Sequence, residues 1–590
     1  MAISLGSSRY FGARLRHKKH HPSFVFNILA FLIMVMLFML VAWGVEQVNA
    51  PLTHLKQDPI NLDPSSLIEY SLRTALRMFC ALIFSLIFTL IYATLAAKNK
   101  YCEQILVPLL DVLQSVPILG YISFTVTAFL ALVPGSIIGA ELAAIFAIFT
   151  SQVWNMTFSF YQSLNTVPRE LSEASIMCGM SGWQKFWRVE LPFGIPSLVW
   201  NIALSMSGGW FFVVASEVIA VGNQTITLPG IGSYISLATD SKEITAIFYA
   251  IIAMMMIILL YDQLLIRPLI VWSEKFRYDM SSSKTYSKSW LLSIFQKSIL
   301  IKYIVKLLSL LAHVIVYIPL FKPNARAALS EYSTKATKKS VFLQLLDYLW
   351  YSLLFIGGAA ACYYLVLYLD STIGWIEVVH VFKLASITLF RVMVLIVIAS
   401  IIWIPVGVYI GLNPKLAAFA QPIMQFLAAF PVNLFFPAAV IVITYFNLNP
   451  NIWLSPLIIL GAQWFILFNV TAGAAMCPFD LREVSYNLNI KGWLWWKKVI
   501  LPAIAPYFIT GVITASGGAW NASILAEVVS FGSTKLVATG LGSYIAEMTL
   551  KADFHRIVLG VGVMSLFVVT INRFFWHHVL EFVNKKYSLN

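Results

Sequence analysis

Residues 171–196 read LSEASIMCGMSGWQKFWRVELPFGIP, a polar, charged interruption between two long apolar segments. Residues 481–506 read LREVSYNLNIKGWLWWKKVILPAIAP, 310 positions later. In register, Glu173 falls on Glu483, Ser175 on Ser485, Gly182 on Gly492 and Trp183 on Trp493. Leu191-Pro192 and Pro196 fall on Leu501-Pro502 and Pro506. At the same offset Trp210 meets Trp520, Glu217 meets Glu527, and Gly222 meets Gly532. Gly230, Gly232, Ser233 and Tyr234 meet Gly540, Gly542, Ser543 and Tyr544. About 20 identities over roughly 64 aligned positions, against about four expected by chance, mark an internal duplication.

The ground around these stretches is apolar. The chain is 59% hydrophobic and only 11% charged, with a mean hydropathy of +0.81, which excludes a soluble domain. Many apolar runs reach the roughly 20 residues a helix needs to cross a bilayer. The fold class is therefore an all-α polytopic membrane protein. A net charge of +14 would suggest nucleic acid in a soluble chain. Here Lys and Arg gather at helix ends on one side, as the positive-inside rule requires, and no nucleic-acid partner is expected. The five cysteines, Cys80, Cys102, Cys178, Cys362 and Cys477, are scattered and show no metal-ligand spacing, so they read as small core residues and no metal is expected. The apolar run at 24–45 is too long for a cleaved signal and should remain as the first helix.

The first repeat is expected to place helices near 24–45, 71–97, 104–133, 138–160, 197–221 and 244–268. Pro108 and Pro117 should break or bend the start of the third. The second repeat follows with helices near 342–368, 384–411, 419–447, 452–474, 507–531 and 555–580, about 12 in all. The basic cluster Arg9 to Lys19 and the acidic loop at 46–70 put both termini and both polar stretches in the cytoplasm. Arg77 aligns with Arg391 and Pro117 with Pro431 at an offset of 314, which implies a four-residue deletion ahead of the second polar stretch. The boundaries read as a first six-helix unit at 1–279, a connector at 280–340 and a second unit at 341–590. The connector holds an apolar run broken by Lys297, Lys302 and Lys306. Parity forbids it a single crossing, so it is expected to lie on the inner face as an amphipathic or re-entrant segment.

Glu173-Ala174-Ser175, with Gly179 four residues after the serine and Leu191-Pro192 beyond, resembles the EAA loop of ABC importer membrane subunits. The second copy keeps Glu483, Ser485, Gly492, Leu501 and Pro502 but has Val484 for the alanine and Asn489 for the glycine. Asn is the residue most tolerant of positive φ after Gly, so the turn should survive. Trp210…Glu217…Gly230-x-Gly232, its second copy, and Thr388-Leu389-x-Arg391 resemble the nitrate/sulfonate/taurine branch. Repeat one keeps only Thr74 and Arg77 of the last pattern. The resemblance implies two tandem six-helix type I permease units fused in one chain. It further implies cytoplasmic loops docking two ABC ATPase subunits (identical or not), an extracytoplasmic substrate-binding protein, a bacterial inner-membrane location and a small anion such as nitrate, sulfonate or bicarbonate as substrate. ATP and Mg would sit on the ATPases, and no cofactor on this chain.

The residues support this independently. A polar segment between spans is ordinarily a solvated connection, but solvated loops have no need of Trp183 and Trp493 in two registered copies. Glu217 and Glu527 lie in apolar surroundings, where an ionisable group either lines a pathway or is a structural carboxylate bonded to a neighbouring helix. Trp210 and Trp520 are grouped with them as candidate pathway residues. Arg77 and Arg391 could attract an anion, though snorkelling to the interface is the simpler account. Ser207-Gly208-Gly209 and Ser516-Gly517-Gly518 permit close helix packing and read as an interface between halves. No GxxxxGK[ST], HExxH or Ser/His/Asp arrangement occurs, so the chain is not expected to be an enzyme. A twelve-helix secondary transporter is the alternative, since its halves can also be parallel repeats. It leaves the paired loops unexplained.

Overall fold

In the computed structural model the described residues are 60–115, 118–133, 136–221, 224–276, 290–317, scattered positions between 352 and 369, 373–477 and 479–587. The basic N-terminus, the expected helix near 24–45, most of that near 342–368 and both ends of the connector lie outside them. Among the described residues seven helices are long and apolar enough to cross a membrane, and up to nine if each bent pair counts as one span. In repeat one the expected third helix is described as Lys100–Ser115 and Ile118–Leu132, on either side of residues 116–117, which lie outside the described residues. Pro108 lies inside the first of these without ending it. In repeat two the corresponding helix is broken, with Ile423–Ala429 and Val432–Tyr445 bent by 77° around Pro431. Phe430 and Pro431 are both extended, the conformation that proline imposes on the residue before it.

The chain divides into two compact units. The larger holds Gln47–Thr166, Trp200–Leu260 and Glu331–Asn590. Helix Ser66–Lys98 buries Ala81, Ser85, Thr89 and Ala93, a small residue every fourth position. That stripe faces helix Ile137–Asn165, where the hydroxyls of Thr89 and Thr157 meet at 3.0 Å. Small residues let backbones approach where lipid supplies no hydrophobic drive, and polar pairs then bond across the seam. In repeat two, Gly411 on helix Trp375–Gly411 does the same: a Cβ there would lie 2.3 Å from the Thr471 carbonyl oxygen. One buried cluster runs from Ile118, Val126 and Ala147 of repeat one to Ile466, Trp520 and Met564 of repeat two. The Ile118 amide also donates to Asn521 Oδ1 at 2.8 Å.

The smaller unit holds Met1–Glu46, Val167–Val199 and Tyr261–Ser330. Its described elements are the first polar stretch, the end of the sixth helix and two connector helices, Trp290–Lys297 and Ile299–Tyr317. Arg188 of the polar stretch lies over the Tyr317 ring and bonds its hydroxyl.

Two features were not anticipated. Helix Leu191–Ser216 stops before Glu217, and Val218–Val221 pairs antiparallel with Gln224–Thr227. The second copy repeats this, with Val528–Phe531 pairing Thr534–Val537 after helix Leu501–Ala526. Glu217 and Glu527 therefore sit at helix ends rather than inside helices. A turn at Gly532, φ +58°, closes the second hairpin, and its amide donates to the Thr239 carbonyl at 2.9 Å. The helices are also widened to π turns at Phe186–Glu190, Asp262–Ile266, Trp496–Ile500 and Ile571–Trp576, the first three just before a proline at 192, 268 or 502 and the last before none. Proline offers no N–H and crowds the carbonyl four residues back, and a wider turn relieves that crowding.

Candidate functional site

The two polar stretches fold alike. Helix Arg169–Met177 is followed by a turn, the short helix Gly182–Lys185 and the π turn that runs into the next span. Phe479–Asn487, Gly492–Trp495 and Trp496–Ile500 repeat the series. Both first helices end in the same hydrogen-bonded motif. Gly179 N–H donates to Ile176 O and Met180 N–H to Ser175 O, as Asn489 N–H does to Tyr486 O and Ile490 N–H to Ser485 O. The residue at the turn is left-handed in both, φ +64° at Gly179 and +52° at Asn489, as this helix ending requires. Ser175 and Ser485 are buried and bond back to Ser172 O and Arg482 O. The next helix starts differently: Ser181 and Gln184 form a capping box, whereas Lys491 makes no side-chain cap. Glu173, Ala174, Glu483, Val484 and Gly492 are exposed. So are Leu481, Tyr486, Leu488, Trp493 and Leu494 of the second copy, and Met177 of the first. Asn489→Gly is expected to leave stability unchanged or raise it slightly. Gly179→Val should cost about 1–2 kcal/mol for the left-handed backbone, read in thermal unfolding of the purified chain.

Glu217 and Glu527 are fully buried. Glu217 accepts from Thr74 Oγ1 at 2.6 Å, Arg77 Nη1 at 2.7 Å and the Gly232 amide at 2.6 Å. Thr74 Oγ1 in turn accepts from the Ile231 amide. Glu527 accepts from Thr388 Oγ1 at 2.9 Å, Arg391 Nη1 at 2.7 Å and the Ser543 amide at 3.0 Å. Each carboxylate thus ties an earlier helix of its own repeat, Ser66–Lys98 or Trp375–Gly411, to the short helix after the hairpin. The Gly-x-Gly pairs make room for it. A Cβ at Gly230 would lie 2.2 Å from the Glu217 carboxyl carbon, and one at Gly540 would lie 2.3 Å from a Glu527 oxygen. The arginines do not snorkel: Arg77 is 4% exposed, because desolvating a guanidinium is offset by paired carboxylates. Arg77 also grips Glu141 with two bonds of 2.6 Å. Among the described residues Arg391 has no second carboxylate, and it donates instead to the Asn451 and Thr539 carbonyls.

A cavity of about 170 Å³ lies within the larger unit, lined by both repeats. Trp154, Ser205, Phe212, Phe465, Asn521 and Trp576 belong to its wall. None of Arg77, Trp210, Glu217, Arg391, Trp520 and Glu527 lines it; Trp210 and Trp520 are buried in packing. The small-residue patches, expected to build only an interface, divide their roles. Gly209 packs on Met78 and Gln152 away from the cavity, Gly518 packs on Ala462 and also borders the cavity, and Gly208 and Gly517 border it with nothing within 4 Å of a Cβ. Consecutive residues 100° apart on a helix explain the division. Gly208→Leu with Gly517→Leu is therefore expected to fill that space and leave the yield of folded protein near wild type.

Comparison with known proteins agrees with the duplication. The family described as binding-protein-dependent transport system inner membrane component matches residues 85–265 and again 403–581, more than half of the chain. The bicarbonate transport system permease protein CmpB of Synechococcus elongatus is 32% identical over 177 residues, 30% of this chain and 60% of its own length. The nitrate import permease protein NrtB of a Synechocystis strain is 26% identical over 176 residues, again 30% and 60%. The glycine betaine/proline betaine transport system permease protein ProW of Salmonella typhimurium is 28% identical over 199 residues, 34% and 54%. The chain thus spans little more than half the length of these relatives in each match.

Proposed function

The chain belongs to the binding-protein-dependent transport system inner membrane component family, and from that premise we propose that it forms the membrane pathway of an ATP-driven importer, two permease halves fused in one polypeptide. The observation that carries the proposal is the doubled loop. Each copy presents a helix, a left-handed turn and a second helix continuous with a span. In the second copy the exposed face is apolar, with Trp493 74% and Tyr486 81% accessible, which in a soluble loop marks a surface meant to be covered by protein. Two ATPase subunits would cover these faces, one per loop, and ATP and Mg would bind there. Each loop runs through its π turn into a long helix, Leu191–Ser216 or Leu501–Ala526, so a push on the loop would be passed along the chain to that helix. Alternating access follows if the spans lining the cavity have two stable arrangements. The carboxylate–arginine groups act as fixed joints within each repeat rather than as gates. A substrate-binding protein on the other side would deliver the solute, which the relatives' names favour as a small anion of the bicarbonate or nitrate kind.

The reading is tested by purifying the full chain from its own cells in mild detergent. Two ABC ATPase subunits per chain are expected to co-purify. A chain that comes alone, with uptake insensitive to ATP depletion, would favour the secondary transporter instead.

A further inference from the structure

We propose that the two hairpins latch the repeats together on the membrane face opposite the loops. The latch opens where the tip of the second hairpin, Gly532-Ser533, rests on the end of helix Ile231–Asp240 at Thr239 and Lys242. This rests on the importer reading and adds to it the place where the two halves part.

The side follows from helix length. Helix Leu501–Ala526 runs from the second loop to the second hairpin, and its 26 residues rise about 39 Å. That exceeds the hydrocarbon core of a bilayer, so loop and hairpin lie on opposite faces. A solute arriving on the hairpin side meets a closed seam. One buried apolar cluster joins Ile118 and Phe212, which line the cavity, to Val529 of the second hairpin.

The hairpins are exchanged between repeats. Strand Val528–Phe531 lies against helix Ile231–Asp240 of repeat one, and strand Val218–Val221 lies against helix Leu541–Leu550 of repeat two. Both short helices end in a left-handed residue, Lys242 with φ +59° and Ala552 with φ +54°, 310 positions apart. Lys242 N–H donates to Thr239 O as Ala552 N–H does to Thr549 O. The copies differ in what the turn carries. The Thr239 carbonyl also accepts from the Gly532 amide at 2.9 Å, and Lys242 Nζ donates to Ser533 Oγ at 3.3 Å. The lysine stem lies on the glycine, since a Cβ at Gly532 would be 2.0 Å from Lys242 Cε. Ala552 has no such arm.

Energetics decide where the halves separate. Within each repeat, buried Glu217 or Glu527 holds an earlier helix and the short helix through an arginine, a threonine and an amide. Those groups move as one body, because stranding a buried charge is costly. The tip contact is one amide bond and one exposed ammonium–hydroxyl bond, each of which water can replace at small cost. The apolar seam beneath is non-directional and can re-form after a shift. The tips are therefore the part that gives, and Lys242 sets how readily they do.

The test uses the full chain purified with its partners and placed in lipid nanodiscs, its five cysteines replaced by alanine. Spin labels go on Asp240→Cys and Lys535→Cys, exposed positions on either side of the tip contact. Expected is one short separation without nucleotide and a second, longer one when ATP is trapped with vanadate. A control pair within repeat two, Lys535→Cys with Glu547→Cys, should keep its separation. Lys242→Ala should move part of the nucleotide-free population to the longer separation at unchanged folded yield. The latch is overturned, and the importer left standing, by a tip separation that ATP does not change in a preparation that hydrolyses it. A control pair that moves as far as the tips, or a Lys242→Ala chain with the wild-type distribution, would overturn it equally. A preparation that hydrolyses no ATP would overturn the importer reading and the latch with it.

Discussion

Arg77→Leu is expected to lower the stability of the chain by about 3–5 kcal/mol, the scale for removing one partner of a buried ion pair. The loss should appear as a sharp fall in folded yield and in the apparent unfolding midpoint. Its size follows from what remains: Glu141 and Glu217, both buried, would lose the guanidinium that bridges them and be left without a charged partner. Arg391→Leu should be milder, since it strands Glu527 alone and leaves two carbonyls that can find other donors. The combined variant Arg77→Leu, Glu141→Gln, Glu217→Gln should recover much of the loss, because an uncharged cluster carries no unpaired ion. A single Arg77→Leu protein as stable as wild type would remove the joint from the account.

Severing the doubled loops should have the largest effect on transport. Glu173→Arg and Gly179→Arg in the first copy, or Trp493→Asp in the second, are expected to abolish ATP-driven uptake while the chain still inserts. Gly179→Arg acts twice, through a side chain at φ +64° and through bulk on a surface meant to be covered. Uptake by these variants at wild-type rates would show that the loops couple to nothing.

Much of this was legible in the sequence for a definite reason. The doubled stretch carries its own register, so Gly179 against Asn489 foretold a left-handed turn in both copies. Length and hydropathy located most spans to within a few residues. Contacts between distant residues were not legible. Arg77 reads as an interfacial cation because its partners lie 64 and 140 positions away, and Glu141 has no carboxylate counterpart in repeat two to draw attention to it. The hairpins were missed because Val218–Val221 continues the apolar run of the helix before it. Only the paired Gly222 and Gly532 hinted at a turn. The cavity wall mixes Ser, Thr and Asn with aromatic, aliphatic and Gly residues, types common in any packed bundle of spans, and nothing in their spacing distinguishes those facing space from those facing a neighbour.

The central claim is that both loops meet an ATPase. A photo-crosslinking residue placed at Met177 and, separately, at Trp493 tests it in intact cells, since both positions are exposed in the chain. The account predicts that illumination joins an ABC ATPase subunit to the chain at each position. Crosslinks to lipid or to the chain itself alone, at both positions, would contradict it.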